Sequence, residues 1–181
     1  PQTSYGAQKG SAELLLSDFS RKGFVNGLSL RLPTICIRPG SANKAASSFF
    51  SNIIREPLNN KPAYLPVDPS VRHWHASPRS DAHFLLHATT IDCSDLNDRR
   101  AINLAGVSCT VEEQIEALRK RAGQKVVDLI IPKPDPLIKQ MVSGWPRNVD
   151  PKRALKLGFR SEKTFEPFPL ESINTSKNKR S

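Results

Sequence analysis

Apolar residues between Ser4 and Lys22 recur with helical spacing. Leu14, Leu15, Leu16 and Phe19 form a stripe, and Ala7 and Ala12 leave room for close packing. Gly23 stands where a left-handed cap would end this helix. The period then falls to two at Leu28, Leu30 and Leu32, which predicts a strand. Pro33 cannot donate to a ladder, so the backbone changes role there. Ile35 and Ile37 resume the alternation up to the turn signal Pro39-Gly40. Phe49, Phe50, Ile53 and Ile54 lie on one side of a second helix predicted over Ala45 to Arg55.

Residues 57–78 are rich in proline and read as loop with a brief strand. A third helix is expected from Arg79 to Ile91, and a short strand from Ala101 to Leu104. Thr110-Val-Glu-Glu113 is a capping box that opens a helix to about Arg121, closed near Gly123. Val126 to Ile131 reads as a strand, with a helix as the alternative. Asp135-Pro136 opens a helix toward Ser143. Asp150 caps another, with Pro151 at its first position and Gly158 as its stop. The polar, basic residues from Asn174 onward are expected to be disordered. No internal repeat is visible.

Length and composition narrow the class. A chain of 181 residues with 38% hydrophobic and 24% charged positions is long enough for a sizeable core and ordinary for a globular protein. No apolar run approaches the 18 residues of a spanning helix, so no membrane association is expected. Three cysteines without paired spacing predict neither a disulfide framework nor a four-thiolate zinc site, and they suit a reducing, cytoplasmic compartment. Residue 1 is Pro, which suggests that the chain begins inside something larger.

Lys and Arg outnumber Asp and Glu by 27 to 17, a net charge of +10. The basic clusters are short, however. Arg119-Lys120-Arg121 complements the dipole of a helix that starts with Glu112 and Glu113. No aromatic platform accompanies these clusters, so specific nucleic-acid binding is not expected. His73, His75, Asp81, His83 and His87 are dense enough to suggest a metal. Phe84-Leu85-Leu86 stands between His83 and His87, without the glutamate of a metalloprotease helix, and no metal is expected.

The chemistry is carried by Ser4-Tyr5-Gly6-Ala7-Gln8-Lys9. Tyr5 and Lys9 stand four apart on the first helix and share one face. An ammonium near a phenol favours the phenolate, a usable general base. Such a pair suits removal of a proton from a substrate hydroxyl.

The pair does not stand alone. It is followed by Arg31-Leu-Pro-Thr-Ile-Cys-Ile-Arg-Pro-Gly40, Asn43-Lys-Ala-Ala-Ser-Ser48 and Ile54-Arg-Glu-Pro-Leu58. Gly106-Val-Ser-Cys-Thr-Val111 and Asp150-Pro-Lys-Arg-Ala-Leu-Lys-Leu-Gly-Phe159 come after these. In this order the segments resemble the extended short-chain dehydrogenase/reductase family, which includes nucleotide-sugar epimerases and dehydratases.

The resemblance implies an α/β fold: the carboxy-terminal part of a Rossmann-like parallel sheet plus a smaller α/β substrate-binding region. Residues 1–40 would finish the nucleotide-binding domain. Residues 41–170 would mainly bind substrate, with some return to the sheet, and 171–181 would be a disordered basic tail. Tyr5 would be the catalytic acid/base and would touch both cofactor and substrate. Lys9 would assist it and bind the nicotinamide ribose. Leu32, Pro33, Thr34 and Ile35 would lie beside the nicotinamide. Asn43, Lys44 and Arg72 would meet the substrate.

The implied cofactor is NAD, with NADP as the alternative. The implied reaction oxidises the C2 hydroxyl of a four-carbon sugar acid to the 2-oxo acid, and a homodimer is implied as partner. No glycine-rich dinucleotide loop occurs in the chain, and the Ser or Thr that partners the tyrosine would lie upstream. The expectation is therefore a carboxy-terminal fragment, inactive by itself. The competing expectations are a nucleotide-sugar epimerase or dehydratase, and a non-catalytic basic remnant that binds nucleic acid.

Overall fold

The structure is a computed structural model and describes residues 3–40, 45–93, 96 and 99–169. The expected disordered tail, and Asn43 and Lys44, lie outside the described residues. The elements run α1 (Ser4–Arg21), β1 (Ser29–Arg31), β2 (Thr34–Ile35), α2 (Ser48–Leu58), β3 (Ala63–Leu65), β4 (Arg72–Ala76) and α3 (Pro78–Ala88). They continue with β5 (Ala101–Asn103), β6 (Val107–Thr110), α4 (Val111–Ala122), α5 (Gln124–Val127), β7 (Ile130–Pro132), α6 (Pro136–Ser143) and α7 (Lys152–Lys156).

The strands pair across long sequence separations. β1 runs parallel to β5, with Leu30 opposite Ile102. β2 runs parallel to β4, with Thr34 opposite His75, and β4 is antiparallel to β6, with His73 opposite Cys109. β3 runs parallel to β7. Parallel pairing dominates, as expected of an α/β fold with helical crossovers.

Two apolar clusters hold these layers. Phe50, Ile53 and Ile54 from α2 meet Leu65, Val111 and Leu118 in the larger one. Phe84 from α3, Ile102 and Leu104 beside β5, and Ala154 and Phe159 near α7 form the other. Helix α2 belongs in the core because its apolar positions 49, 50, 53 and 54 fall on one stripe.

Helix α1 differs. Its stripe does not enter either cluster: Leu14 is 75% exposed and Leu15 61%, and Ser20 is its buried residue. Helical periodicity reports an amphipathic face, not what covers it.

Several boundaries moved. α2 starts at Ser48, because the amide of Ser48 closes a turn onto the Ala45 carbonyl, and it continues through Pro57. Residues 57–78 hold two strands. β4 was hidden because four of its five residues are buried, so the period of two is absent. β6 does alternate, with Val107 and Cys109 inward, but over four residues. The apolar run Val126 to Ile131 divides between the end of α5 and β7. In α7 Pro151 is the cap rather than the first helical residue, and the Asp150 carboxylate accepts from the Lys152 amide at 3.1 Å. The capping box is complete: Thr110 Oγ accepts from the Glu113 amide at 3.1 Å, and Glu113 accepts from the Thr110 amide.

Gly106 lies where β2, β4 and β6 converge. A Cβ there would stand 2.5 Å from Trp74 Nε1, 2.6 Å from the His75 carbonyl oxygen and 2.9 Å from the Pro33 ring. The backbone oxygen cannot rotate away. Gly106→Ala should therefore lower stability by about 1–3 kcal/mol, the usual cost of overpacking. The midpoint of urea unfolding measures it. Gly27→Ala is the contrasting variant, since the three atoms nearest its Cβ would all belong to the Leu16 side chain. That side chain can change rotamer, so the loss there should be smaller.

Candidate active site

Helix α1 begins at a formed cap, with Thr3 Oγ1 accepting from the Gly6 amide at 3.0 Å. Tyr5 is thus fixed in the first turn and Lys9 one turn later. The Lys9 ammonium lies 5.5 Å from the centre of the Tyr5 ring, a cation–π contact. The Tyr5 side chain is 70% exposed, so it stands at the surface ready to meet another body.

Tyr5 and Lys9 border an open cleft of about 1240 Å³. Leu32, Pro33, Thr34 and Ile35 line the same cleft. Leu32 and Pro33 lie between β1 and β2, outside both ladders. Six of the sequence-selected residues therefore come together. Arg72 does not join them. Its guanidinium pairs with Glu113 at 3.2 Å and donates to the Ser108 carbonyl at 2.9 Å, so Glu113 already neutralises its charge.

The cleft also has walls that the sequence reading passed over. Glu13 and Arg31 form a two-point ion pair at 2.8 and 2.5 Å that ties α1 to β1. The hydrogen bond from Arg31 holds the Glu13 carboxyl below the usual range, against a smaller opposing effect of burial. Arg38, Trp74 and Asp81 line the cleft as well. Burial pushes the Asp81 carboxyl up, and one of its oxygens is buried with no hydrogen-bond partner. The available signals were modest. Arg38 is a charge at the end of an apolar alternation, just before Pro39-Gly40, and Asp81 sits in the first turn of α3.

Thr34 links the cleft to the interior. Its hydroxyl is 2.7 Å from His73 Nε2. His73 stacks on Phe50, and His75 Nε2 lies 2.7 Å from Gln114 Nε2. His87 Nε2 is 2.8 Å from the Leu157 carbonyl, so it donates there. Three of the four histidines, His73, His75 and His87, thus have protein partners. Among the described residues no group of three or more His, Cys, Asp or Glu side chains is placed to hold a metal. Nor is any described helix long and apolar enough to cross a membrane.

The chain is similar in sequence to two curated dehydrogenases and in fold to a solved nucleotide-sugar epimerase. In particular, it is 47% identical over 166 residues to the D-erythronate dehydrogenase of Cupriavidus necator, which covers 92% of the chain and 51% of that protein. It is 43% identical over 166 residues to the D-erythronate dehydrogenase of Haemophilus influenzae, covering 53% of it. Among solved structures, a nucleoside-diphosphate-sugar epimerase from Agrobacterium tumefaciens superposes with a TM-score of 0.94 at 53% identity. That match covers 98% of the chain and 52% of the epimerase. An L-threonine dehydrogenase from Phytophthora infestans superposes at 0.83 with 20% identity, a likeness of fold alone. No family model matches the chain. The chain spans about half the length of the curated relatives it matches.

Proposed function

We propose that the full-length protein is an NAD-dependent oxidoreductase that converts the C2 hydroxyl of a four-carbon sugar acid, such as D-erythronate, to the 2-oxo acid. The observation that carries this reading is the meeting of Tyr5, Lys9 and the Leu32–Ile35 segment at one cleft. The identity to two D-erythronate dehydrogenases supports the substrate.

In this mechanism the Tyr5 phenolate removes the proton from the substrate hydroxyl. The Lys9 ammonium lies 5.5 Å from the centre of the Tyr5 ring, on the same face of α1. NAD, when bound, supplies the acceptor for the C2 hydride. The chain's own residues fit the nicotinamide end of such a cofactor. Lys9 carries a donor for ribose hydroxyls, and Leu32 and Pro33 offer a backbone surface outside any ladder. The phosphate end needs a glycine-rich turn, and none occurs in these 181 residues. This half of the site would therefore work with residues beyond the chain, and the chain alone should not turn over. NADP instead of NAD would be selected by those other residues.

Arg72 fits this reading poorly as a substrate ligand, because Glu113 occupies it. The exposed Leu14, Leu15 and Phe19 of α1 support association with a second copy. The three thiols are free and buried, which suits a reducing compartment such as the cytoplasm.

One observation favours a second reading, nucleotide-sugar epimerisation: the 53% identity to a protein described as such an epimerase. The two separate in one assay. Given D-erythronate and NAD, the full-length protein should accumulate NADH. An epimerase recycles its cofactor, so a nucleotide sugar converted without net NADH, and no NADH from the acid, would replace the first reading with the second.

A further inference from the structure

Among the described residues, five charged side chains line the cleft: Lys9, Glu13, Arg31, Arg38 and Asp81. Three of them are engaged within the protein. Glu13 and Arg31 neutralise each other, and Lys9 lies over the Tyr5 ring. Arg38 and Asp81 remain. Neither forms an ion pair with a described residue.

Arg38 is half-buried, and its backbone is clamped from both sides. Its amide donates to Ser51 Oγ at 3.2 Å, and its carbonyl accepts from Arg55 Nη1 at 2.8 Å. Arg55 is itself buried and braced by Glu56 and Asn52. The base of the Arg38 side chain is therefore positioned in advance, which reduces the entropy lost when its guanidinium takes a ligand. A half-buried cation without a counter-charge favours an anion, and a guanidinium fork matches a carboxylate at two points. Asp81 presents the opposite need. The residue lines the cleft, one of its carboxylate oxygens is buried without a partner, and a carboxylate so undercompensated accepts hydrogen bonds through its reachable oxygen from donors that arrive. Substrate hydroxyls are such donors.

We propose that Arg38 and Asp81 form a two-point reader of a small polyhydroxylated acid, Arg38 holding the carboxylate and Asp81 accepting from the hydroxyls, so that the ligand's ends are fixed relative to Tyr5. The inference rests on the reading of the cleft as the substrate site and names the residues that read the substrate class there. Arg72 plays no part in it.

The test is binding to the full-length protein with NAD present, measured by calorimetric or NMR titration. The probes are D-erythronate and 2-hydroxybutyrate, an acid of the same carbon count without the distal hydroxyls. Arg38→Met should weaken both acids about 10- to 100-fold, the range for loss of a charge-assisted pair. Arg38→Lys keeps the charge and should recover part of that loss. Asp81→Asn should weaken D-erythronate about 5- to 10-fold and leave 2-hydroxybutyrate unchanged.

Unchanged affinity in Arg38→Met overturns the assignment of Arg38. So does a loss that Arg38→Lys, with the same Tm, fails to recover. An equal effect of Asp81→Asn on the two acids overturns the assignment of Asp81. No binding of D-erythronate to the unmodified protein overturns both. An acid that binds through Arg38 yet yields no NADH removes the oxidation reading alone. One that is oxidised with unchanged affinity in Arg38→Met removes the reader alone.

Discussion

Tyr5→Phe should lower kcat of the full-length protein on D-erythronate by about 10²- to 10⁴-fold, the usual worth of a positioned general base. The fold should not notice. Tyr5 is 70% exposed, and the Lys9 ammonium lies 5.5 Å from the centre of its ring, a contact that Phe preserves. Tm and the far-ultraviolet spectrum should match those of the unmodified protein. KM should change little, because the lost hydroxyl acts on the proton and is not the anchor of the ligand. An equal fall of kcat and kcat/KM then marks an interaction made in the transition state. Lys9→Met should also reduce kcat, by removing the donor for the nicotinamide ribose and the cation over the Tyr5 ring. Turnover that survives in Tyr5→Phe would remove Tyr5 from the chemistry, whatever the substrate.

Features that depend on local chemistry were legible in the sequence. The helix of Tyr5 and Lys9, the capping box at Thr110 and the Asp135 cap all rest on interactions between residues a few positions apart. What failed depends on distant partners. β4 is central between β2 and β6, so burial on both faces erased the alternation that would have announced it. The α1 stripe was real, yet no local signal says that it stays out of this chain's two clusters.

The site divides in the same way. Tyr5 and Lys9 lie four apart in sequence, the Leu32–Ile35 segment was legible only through the family resemblance, and all share one cleft. Arg72 and Arg38 were indistinguishable as isolated arginines. Only the antiparallel pairing of β4 with β6, which brings Arg72 beside Glu113, separates a satisfied cation from an unsatisfied one. Asp81 has its meaning from what is missing around it, and that too is a tertiary fact.

The histidines of β4 should make the chain sensitive to mild acid. Burial pushes the His73 ring down to about 4, opposed by the backbone of Pro146. Burial holds His75 well below its ordinary value, reinforced by neighbouring His73 and opposed by the backbone of Thr34. Both rings are therefore neutral in the folded chain at pH 5, whereas in the unfolded chain they bind protons near pH 6.5. The unfolded state then carries more protons, so stability rises with pH through this window and is lost as pH falls from about 6.5 toward 4. Each ring should cost about 2 kcal/mol between pH 7 and pH 5, or about 4 kcal/mol together. Against a domain stability of about 5–15 kcal/mol this is a large share.

Urea unfolding at the two pH values measures it. His73→Gln removes one titrating ring and should leave a loss of about 2 kcal/mol over the same interval. Its stability at pH 7 should also drop, because the Thr34 hydroxyl loses its 2.7 Å partner and Phe50 its stacked ring. Only the change in slope isolates the titration. The carboxylates with lowered values, such as Glu13, titrate below this interval, whereas the raised Asp81 carboxyl acts with the opposite sign and offsets part of the histidine loss. A flat stability between pH 7 and pH 5 would mean that the two rings accept protons inside the fold. The buried contacts among His73, His75, Phe50 and Gln114 would then have to open in mild acid.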